Sequence, residues 1–263
     1  MDLQLTSTSA FVSGSTGGIG YAVADALAAE GVRVIVNGRS ATRVDETVAR
    51  LHVAHPGADV SGIAADFADP AQVADLIARL GEVDVLINNV GLFGLGAFEE
   101  IDDAQWQHYF DVNVMSGVRL SRALLPGMLE RGWGRIVFIG SESGVSVPAD
   151  MIHYGVTKAA MIALANGLAK RTRSTAVTVN TVLGGPTYSD GVAAAIEQIA
   201  QAQGAPMDAV KDAVIGQNAT TLLERFIEPA EIASLVAYLA SPLASATNGA
   251  ALRADGGVLT TIV

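Results

Sequence analysis

A tyrosine and a lysine four residues apart are the side chains of this chain best suited to chemistry. Tyr154 and Lys158 lie in the sequence His-Tyr-Gly-Val-Thr-Lys, and on a helix this spacing places both side chains on one face. A free phenol has a pKa of about 10, which is too high for a base at neutral pH. A neighbouring ammonium favours the phenolate and lowers that pKa. The pair therefore predicts proton transfer, with Tyr154 as general acid or general base.

A glycine-rich turn upstream suits a dinucleotide. Residues 13–20 read Ser-Gly-Ser-Thr-Gly-Gly-Ile-Gly and join the first apparent strand to the first apparent helix. In such a turn Gly14 permits the tight bend, Gly18 lets the backbone approach a pyrophosphate, and Gly20 permits close packing of the helix on the strand. The free N–H groups at the helix N-terminus attract the anion. A dinucleotide site and a proton-transfer site in one chain predict redox chemistry on a carbonyl or an alcohol.

The end of the second strand bears on the choice of cofactor. An acidic residue there would hold the ribose hydroxyls of NAD, but the strand ends in Asn37, Gly38 and Arg39. Arg39 can meet a 2′-phosphate through planar, charge-assisted hydrogen bonds. The sequence therefore favours NADP over NAD, with a solvated surface arginine as the alternative interpretation of Arg39.

The elements that must position these residues follow from the apolar pattern. Short apolar runs, such as Val83–Ile87 and Arg135–Ile139, alternate with longer helical patterns, such as Asp103–Arg131 and Ile152–Arg171. Strands separated by helices give a parallel sheet with right-handed crossovers, and continuous apolar strands are covered on both faces. We predict an α/β fold: a single doubly wound, Rossmann-type parallel sheet with helices on both faces, in one domain spanning residues 1–263.

The segment 184–228 departs from this alternation. Short helices are predicted at Gly191–Gln203 and Met207–Gln217, just beyond the C-terminal end of a strand. Ligands bind at that edge of open α/β sheets. The segment is therefore predicted to be a substrate-loop insertion that acts as a lid, with a packed surface excursion as the alternative.

Composition bounds the class of function. The chain has 263 residues, of which 50% are hydrophobic and 16% charged, and this indicates a large core rather than disorder. Its formal net charge of −11 argues against a nucleic-acid partner, and the lack of cysteine removes thiolate chemistry. No signal peptide or membrane span is recognised, so a cytoplasmic protein is expected. No metal site is predicted, because His52 and His55 have no carboxylate beside them.

The chain resembles the short-chain dehydrogenase/reductase family, in its compact form, over nearly its whole length. The motifs that carry the resemblance are residues 13–20, Asp66, residues 88–91 (Asn-Asn-Val-Gly), Asn113, Ser141, the Tyr154–Lys158 pair, and residues 255–257 (Asp-Gly-Gly). The resemblance implies a catalytic tetrad of Asn113, Ser141, Tyr154 and Lys158. It also implies cofactor binding by Ser13, Gly14, Ser15, Gly18, Ile19, Gly20, Arg39, Asp66, Asn89, Gly91, Tyr154, Lys158, Gly185 and Thr187. The chain departs from the family in having Gly184 where a proline is usual.

The resemblance gives each member of the tetrad a role. Tyr154 exchanges a proton with the substrate oxygen, and Ser141 donates a hydrogen bond to it. Lys158 also holds the nicotinamide ribose, and Asn113 holds a water that relays protons, a buried helix-kinking asparagine being its alternative. Glu142, beside Ser141, is interpreted either as a residue that recognises a polar substrate group or as a loop carboxylate.

The expected function is that of an NAD(P)-dependent oxidoreductase, with NADP favoured, which interconverts a secondary alcohol and a ketone by hydride transfer. One alternative is a non-catalytic dinucleotide-binding sensor or partner module on the same fold. Another is a lyase or epimerase that reuses the tetrad. The family further implies a homotetramer or homodimer. Apolar residues at the expected mouth of the site favour an apolar substrate portion or simple packing: Leu92, Phe93, Leu95, Val145 and Val147.

Overall fold

A parallel sheet lies at the centre of the protein. The computed structural model describes residues 2–218 and 220–262. The strands are β1 (Ser9–Val12), β2 (Arg33–Gly38), β3 (Val60–Ala64), β4 (Val85–Asn88), β5 (Trp133–Ser141), β6 (Ala176–Gly184) and β7 (Ala251–Ala254). Within the described residues they form one seven-stranded sheet in the order β3-β2-β1-β4-β5-β6-β7, and every pairing is parallel. The chain starts in the middle of the sheet, moves out to β3, and returns to continue from β4 to β7. The predicted doubly wound fold is confirmed, and its strand order reverses between β1 and β4.

Helices cover both faces of the sheet. They are α1 (Gly18–Ala29), α2 (Ala41–Ala54), α3 (Pro70–Leu80), α4 (Asp103–Tyr109), α5 (Met115–Arg131), α6 (Ile152–Ala169), α7 (Asp190–Gln203), α8 (Met207–Gly216) and α9 (Pro229–Ala240). Apolar residues of α1, α2 and α9 form a core with one face, and those of α3, α5 and α6 form a core with the other. α7 and α8 pack around a small apolar cluster of their own, which includes Ile196, Val210 and Phe226. These two helices match the two short helices predicted beyond β6.

The structure refines the sequence-based picture in two places. The predicted long helix Asp103–Arg131 is confirmed in its bounds, but a π-helical turn, Phe110–Val114, stands between α4 and α5. The C-terminal α9 and β7 were not predicted at all. α9 begins with proline at its first position, where its missing N–H costs nothing. The predicted domain, residues 1–263, and the predicted insertion, residues 184–228, include Met1, Ala219 and Val263, which lie outside the described residues.

A buried arginine joins the C-terminal part of the chain to the sheet. Arg135 in β5 is 1% exposed. Its Nε donates to the carbonyl of Ser241, directly after α9, and its Nη1 donates to the carbonyls of Gly134 and Ala176. Since α9 also packs against α1, the last helix of the fold holds both the first helix and the middle of the sheet.

The described part of the chain contains neither a membrane-spanning helix nor a cluster of side chains suited to a metal ion. None of the helices formed by residues 2–218 and 220–262 is long and apolar enough to cross a membrane. The same residues contain no cluster of three or more side chains suited to a metal ion. His55, one of the two closely spaced histidines, instead lies 2.9 Å from the carboxylate of Asp25.

Candidate active site

The glycine turn connects β1 to α1 in the conformation that its sequence requires. Gly14 and Gly18 have φ angles of 62° and 54°, in the left-handed region that favours glycine. A Cβ on Gly20 would overlap the carbonyl oxygen of Gly14 and the side-chain amide of Asn89. Only glycine at position 20 therefore lets α1 begin so close to the turn, as the sequence predicted.

Polar side chains beneath the turn fix its shape. Ser13 Oγ donates to the carbonyl of Ile87 and accepts from the N–H of Asn89. The amide of Asn89 donates to the carbonyls of Ser13 and Gly14, and Ser15 Oγ donates to the carbonyl of Val12. Ser13 and Ser15 are 1% and 0% exposed. Their contribution is therefore to hold the turn in place rather than to offer a surface to a ligand.

The end of β2 is built without a carboxylate. Asn37 is buried, its Oδ1 accepts from the N–H of Gly14, and its Nδ2 donates to the carbonyl of Ile63. A carboxylate at this position has no proton to donate and would leave that carbonyl without its partner. A Cβ on Gly38 would lie 2.5 Å from the methyl group of Thr16. The chain thus uses both positions for packing and turn geometry, and Arg39 is the exposed charged residue that follows.

A cavity of about 180 Å³ opens beside this strand end. Arg39 and Asp66 lie on its wall together with Val90 and Gly91. Asp66 accepts a hydrogen bond from the N–H of Ala68, which fixes the carboxylate in the loop after β3. The structure therefore brings Arg39, Asp66 and Gly91, three of the predicted cofactor residues, to one cavity.

An acidic residue missed by the sequence reasoning occupies the N-terminus of α1. The N–H of Gly18 donates to Asp190 Oδ2 over 3.0 Å, and Asp190 is the first residue of α7. The N-terminus of a helix attracts anions, so this carboxylate lies where the glycine turn is suited to a pyrophosphate. In the sequence Asp190 is an ordinary acid at a helix start, and nothing near it signals a partner 172 residues earlier.

Tyr154 and Lys158 lie on α6, one turn apart. Lys158 is 4% exposed, its Nζ donates to the carbonyl of Ile139 over 2.7 Å, and it lies 5.6 Å from the centre of the Tyr154 ring. Burial lowers the pKa of Lys158 to about 8, against an opposing effect of the Glu142 carboxylate. Burial raises the pKa of Tyr154 to about 12, which a hydrogen bond with Ser141 partly opposes. The expected lowering of the Tyr154 pKa is not found, because burial raises the pKa of the phenol and the ammonium of Lys158 is directed at a backbone carbonyl.

Asn113 connects three segments around the site. It lies in the π-helical turn, and its Oδ1 accepts from the N–H of Leu92 over 2.6 Å. Its Nδ2 donates to the carbonyl of Leu92 and to Thr157 Oγ1 on α6. This geometry fits the alternative interpretation, a buried asparagine that distorts a helix. Both N–H groups of the Asn113 side chain are already used, so a water there would have to donate, to the second lone pair of Oδ1 or to the main-chain carbonyl.

Ser141 stands at the end of β5 and is paired with its neighbour. Its Oγ donates to Glu142 Oε2 over 2.6 Å and accepts from the N–H of Ser143. Glu142 Oε1 also accepts a hydrogen bond from Ser143 Oγ. Burial raises the pKa of Glu142 above its ordinary value, and these hydrogen bonds oppose the increase. The sequence had noted Glu142 only for its position, and its contact with Ser141 places it in the site.

Two cavities meet at Glu142. One, of about 300 Å³, contains Ser141 and Tyr154 and extends to the start of α1 and to the predicted residues Gly185 and Thr187: it is lined by Ile19, Phe93, Ser141, Glu142, Tyr154, Gly185, Thr187 and Val192, among others. The second, of about 430 Å³, is lined by both polar and apolar residues, including Ser146, Asn218, Thr220, Thr260, Val145 and Leu259. Phe93, Leu95, Val145 and Val147 are exposed, as expected for a mouth. A Cβ on Gly185 would lie 2.5 Å from the carbonyl oxygen of Asp255, so glycine is required there.

Comparison with known proteins agrees with this geometry. A family model described as short chain dehydrogenase matches residues 8–200. The uncharacterized oxidoreductase YvrD of Bacillus subtilis is 43% identical, over 98% of this chain and 99% of its own length. D-beta-hydroxybutyrate dehydrogenase of Cupriavidus necator is 31% identical, over 97% of this chain and 98% of its own. Among solved structures, L-sorbose reductase of Gluconobacter frateurii, complexed with NADPH and L-sorbose, is 30% identical and has a TM-score of 0.94, with 100% of both chains covered.

Proposed function

The chain belongs to the short-chain dehydrogenase family of oxidoreductases, and on that premise we propose that it uses NADPH to interconvert a ketone and a secondary alcohol. The observation that carries the proposal is the cavity that holds Ser141 and Tyr154 together and reaches Ile19 of the glycine turn. A substrate carbonyl beside these hydroxyl groups would also be beside a dinucleotide bound at the turn. The likeness to an L-sorbose reductase with NADPH and to a D-beta-hydroxybutyrate dehydrogenase supports the same reaction class.

The chain's own groups supply the acid chemistry of carbonyl reduction. Bound NADPH would provide the hydride for the carbonyl carbon. With a pKa of about 12, Tyr154 keeps its proton at neutral pH and can donate it as negative charge develops on the carbonyl oxygen. Ser141 can stabilise the same oxygen with a hydrogen bond. A protonated Tyr154 suits the reducing direction, in which the phenol acts as the acid.

Lys158 and Asn113 are proposed to restore the proton to Tyr154. The two side chains face the same space beside Gly91. A Cβ placed on this glycine would lie 3.4 Å from Lys158 Nζ and 3.7 Å from Asn113 Oδ1. With a pKa of about 8, Lys158 can both hold and release a proton near neutral pH, as a relay requires. Lys158 is also proposed to hold the nicotinamide ribose.

NADP is proposed rather than NAD because of the end of β2. Asn37 is used inside the turn and Gly38 is packed against Thr16, so neither offers a carboxylate to ribose hydroxyls. Arg39 is exposed on the wall of the cavity that also contains Asp66. A guanidinium there can bind a 2′-phosphate through two parallel hydrogen bonds. The other predicted cofactor residues stay part of the same proposal, except that Ser13 and Ser15 are proposed to act indirectly, by holding the shape of the turn.

The segment 184–228 is proposed to be the lid of one domain that spans residues 1–263. Its helices α7 and α8 share a small apolar cluster, so the segment can move as a unit, and Asp190 already contacts the cofactor turn. A homotetramer or homodimer is proposed as well. Gly167 on α6 has open space beside it and apolar side chains of α5 and α6 line a groove nearby, which would permit close approach of a second copy. Light scattering that gives a monomer mass would contradict this assembly.

The experiment begins with cofactor titration of the purified protein. Quenching of Trp106 and Trp133 fluorescence, with energy transfer to bound nicotinamide, should give a lower Kd for NADPH than for NADH. Arg39→Ala should remove the difference while leaving NADH binding unchanged. Equal affinities in the unmodified protein would contradict the assignment of NADP.

Turnover is tested next, with a panel of ketones and NADPH. Tyr154→Phe should bind NADPH as before and reduce ketones roughly 10²- to 10⁴-fold more slowly, the usual contribution of a general acid. If no carbonyl compound were reduced although NADPH binds tightly, the sensor alternative would be favoured. Product formed without net oxidation of NADPH would instead favour a lyase or epimerase.

A further inference from the structure

The hydroxyl proton of Ser141 can go to one acceptor at a time, either the Glu142 carboxylate or a substrate oxygen. Ser141 Oγ lies 2.6 Å from Glu142 Oε2 and also accepts from the N–H of Ser143. A serine hydroxyl carries one proton and two lone pairs. When Glu142 is ionised it is an acceptor only, so the proton of Ser141 must point to it. In that state Ser141 has no proton to donate to a substrate oxygen.

Protonation of Glu142 reverses the hydrogen bond. A carboxylic acid can donate to Ser141 Oγ, whose two lone pairs then accept from Glu142 and from the N–H of Ser143. The proton of Ser141 then points away from Glu142 into the cavity that it shares with Tyr154, where the Tyr154 hydroxyl or a substrate oxygen can accept it. The state of Glu142 thus decides whether the site contains one hydrogen-bond donor for the substrate oxygen or two.

Burial and hydrogen bonding act on the pKa of Glu142 in opposite directions. Burial disfavours the carboxylate and raises the pKa of the group, while the hydroxyl groups of Ser141 and Ser143 favour the carboxylate. From α6, the titratable groups that interact with Glu142 are Tyr154 and Lys158. The described residues of the other segments that line the second cavity are neutral: Val145, Ser146, Pro148, Asn218, Thr220, Val258, Leu259, Thr260 and Thr261. Among the described residues of the elements packed around Glu142, Lys158 is therefore the cation that acts on its carboxyl group.

We propose that Glu142 is a positioning residue that sets the donor direction of Ser141, so that its acid form admits Ser141 to catalysis and its carboxylate form withdraws it. The inference rests on the proposed carbonyl reduction. It gives Glu142 a part in the reaction without contact with the reacting atoms. It also makes the reaction sensitive to pH at a group outside the Tyr154–Lys158 pair.

The test is the pH profile of kcat/KM for reduction of the best ketone from the panel. The unmodified enzyme should fall from an acid plateau to an alkaline one as Glu142 ionises. The fall should be by roughly 10²-fold, the usual effect of losing one donor to a developing oxyanion. In Glu142→Gln the side-chain N–H₂ donates to Ser141 at every pH, so this fall should vanish and activity should stay near the acid plateau. Any fall that reflects Lys158 should remain in both proteins.

Ser141→Ala provides the decisive second variant. Without the hydroxyl there is no donor to redirect, so Ser141→Ala should remain at the alkaline plateau at all pH values, and adding Glu142→Gln should change nothing further. If Ser141→Ala kept the same fall, or if Glu142→Gln kept it, the inference would be overturned. Should Glu142→Gln fail to fold, Ser141→Ala alone decides the question. Glu130→Gln, an exposed carboxylate on α5, is the matched control and should reproduce the unmodified profile.

These outcomes separate the inference from the proposed function. Failure of the unmodified enzyme to reduce any carbonyl compound, despite binding NADPH, would overturn both. Normal activity with a fall that neither variant removes would overturn only the role of Glu142. Tryptophan fluorescence titrations with NADPH should give similar Kd values for the unmodified enzyme, the three single variants and the double variant, because none of the substitutions touches the glycine turn.

Discussion

Replacing Lys158 with methionine is expected to stabilise the protein while it removes activity. The ammonium is 4% exposed, and burial lowers its pKa from 10.5 to about 8. Each pKa unit corresponds to about 1.4 kcal/mol. Keeping the charge buried at neutral pH therefore costs on the order of 3 kcal/mol of folding free energy. Methionine fills a similar volume without the charge, and the lost hydrogen bond to the carbonyl of Ile139 offsets part of the gain.

The pH dependence gives this prediction its sign. Below pH 8 the lysine is protonated in the folded and the unfolded protein, so the whole cost is present. As the pH rises from about 8 towards 10.5, the folded protein loses the proton first, and the unmodified protein gains stability. Above 10.5 both states are neutral and the cost is gone. The advantage of Lys158→Met should therefore be largest below pH 8 and should shrink by on the order of 3 kcal/mol by pH 10.5.

The assay is urea unfolding without cofactor, followed by circular dichroism, at several pH values between 6.5 and 10.5. Subtracting the unmodified protein from the variant at each pH cancels the titration of all other groups. Lys170→Met, which changes an exposed lysine just after α6, is the control and should show no such trend. A difference between Lys158→Met and the unmodified protein that stayed constant across this range would refute the reasoning.

Three further predictions concern other parts of the fold. Asp190→Asn removes a carboxylate from the N-terminus of α1, so NADPH should bind roughly two- to fivefold more tightly, with a gain that shrinks as salt is added; an unchanged Kd would contradict this. Gly20→Ala forces a Cβ into the turn's own backbone and should cost roughly 1–3 kcal/mol and most of the NADPH affinity, whereas Gly167→Ala, which has open space, should be tolerated in the same titration. Glu231 is paired with Arg225, which lowers its pKa to about 2. Glu231→Gln should therefore lower the Tm above pH 4.5, and the difference should fade as the pH approaches 2.

The fold could be predicted because its signals are local. Five of the first six strands contain an apolar run, β3 (Val60–Ala64) being the weaker exception, and the glycine turn follows the first of these strands directly. β7 escaped prediction because it is short, half-exposed and has no continuous apolar run. The π-helical turn between α4 and α5 was not predicted, because it is associated with distant contacts. Asn113 in this turn forms hydrogen bonds with Leu92 and Thr157, which lie 21 and 44 positions away in the sequence.

The candidate site, too, could be predicted only in part from the sequence. The residue types and spacing of Tyr154 and Lys158 were enough to place both on one helix face. Their pKa values were not predictable, because these depend on burial and on the direction of the ammonium towards Ile139. Asp190 and Glu142 were missed or left undecided for a related reason. A carboxylate looks alike in a sequence whether it faces solvent or a partner, and only the folded structure gives Asp190 and Glu142 the hydrogen bonds that make them relevant.

The packing of α9 against α1 has a consequence for how the protein is made. α1 carries the cofactor turn, yet α9, the helix that covers its apolar side, is synthesised only after the first six strands. Arg135 likewise waits for the carbonyl of Ser241. The cofactor-binding half of the sheet therefore cannot complete its core before α9 has been synthesised, and it exposes apolar surface until then. For the same reason that half cannot be cut out as an independent module without leaving this apolar surface uncovered.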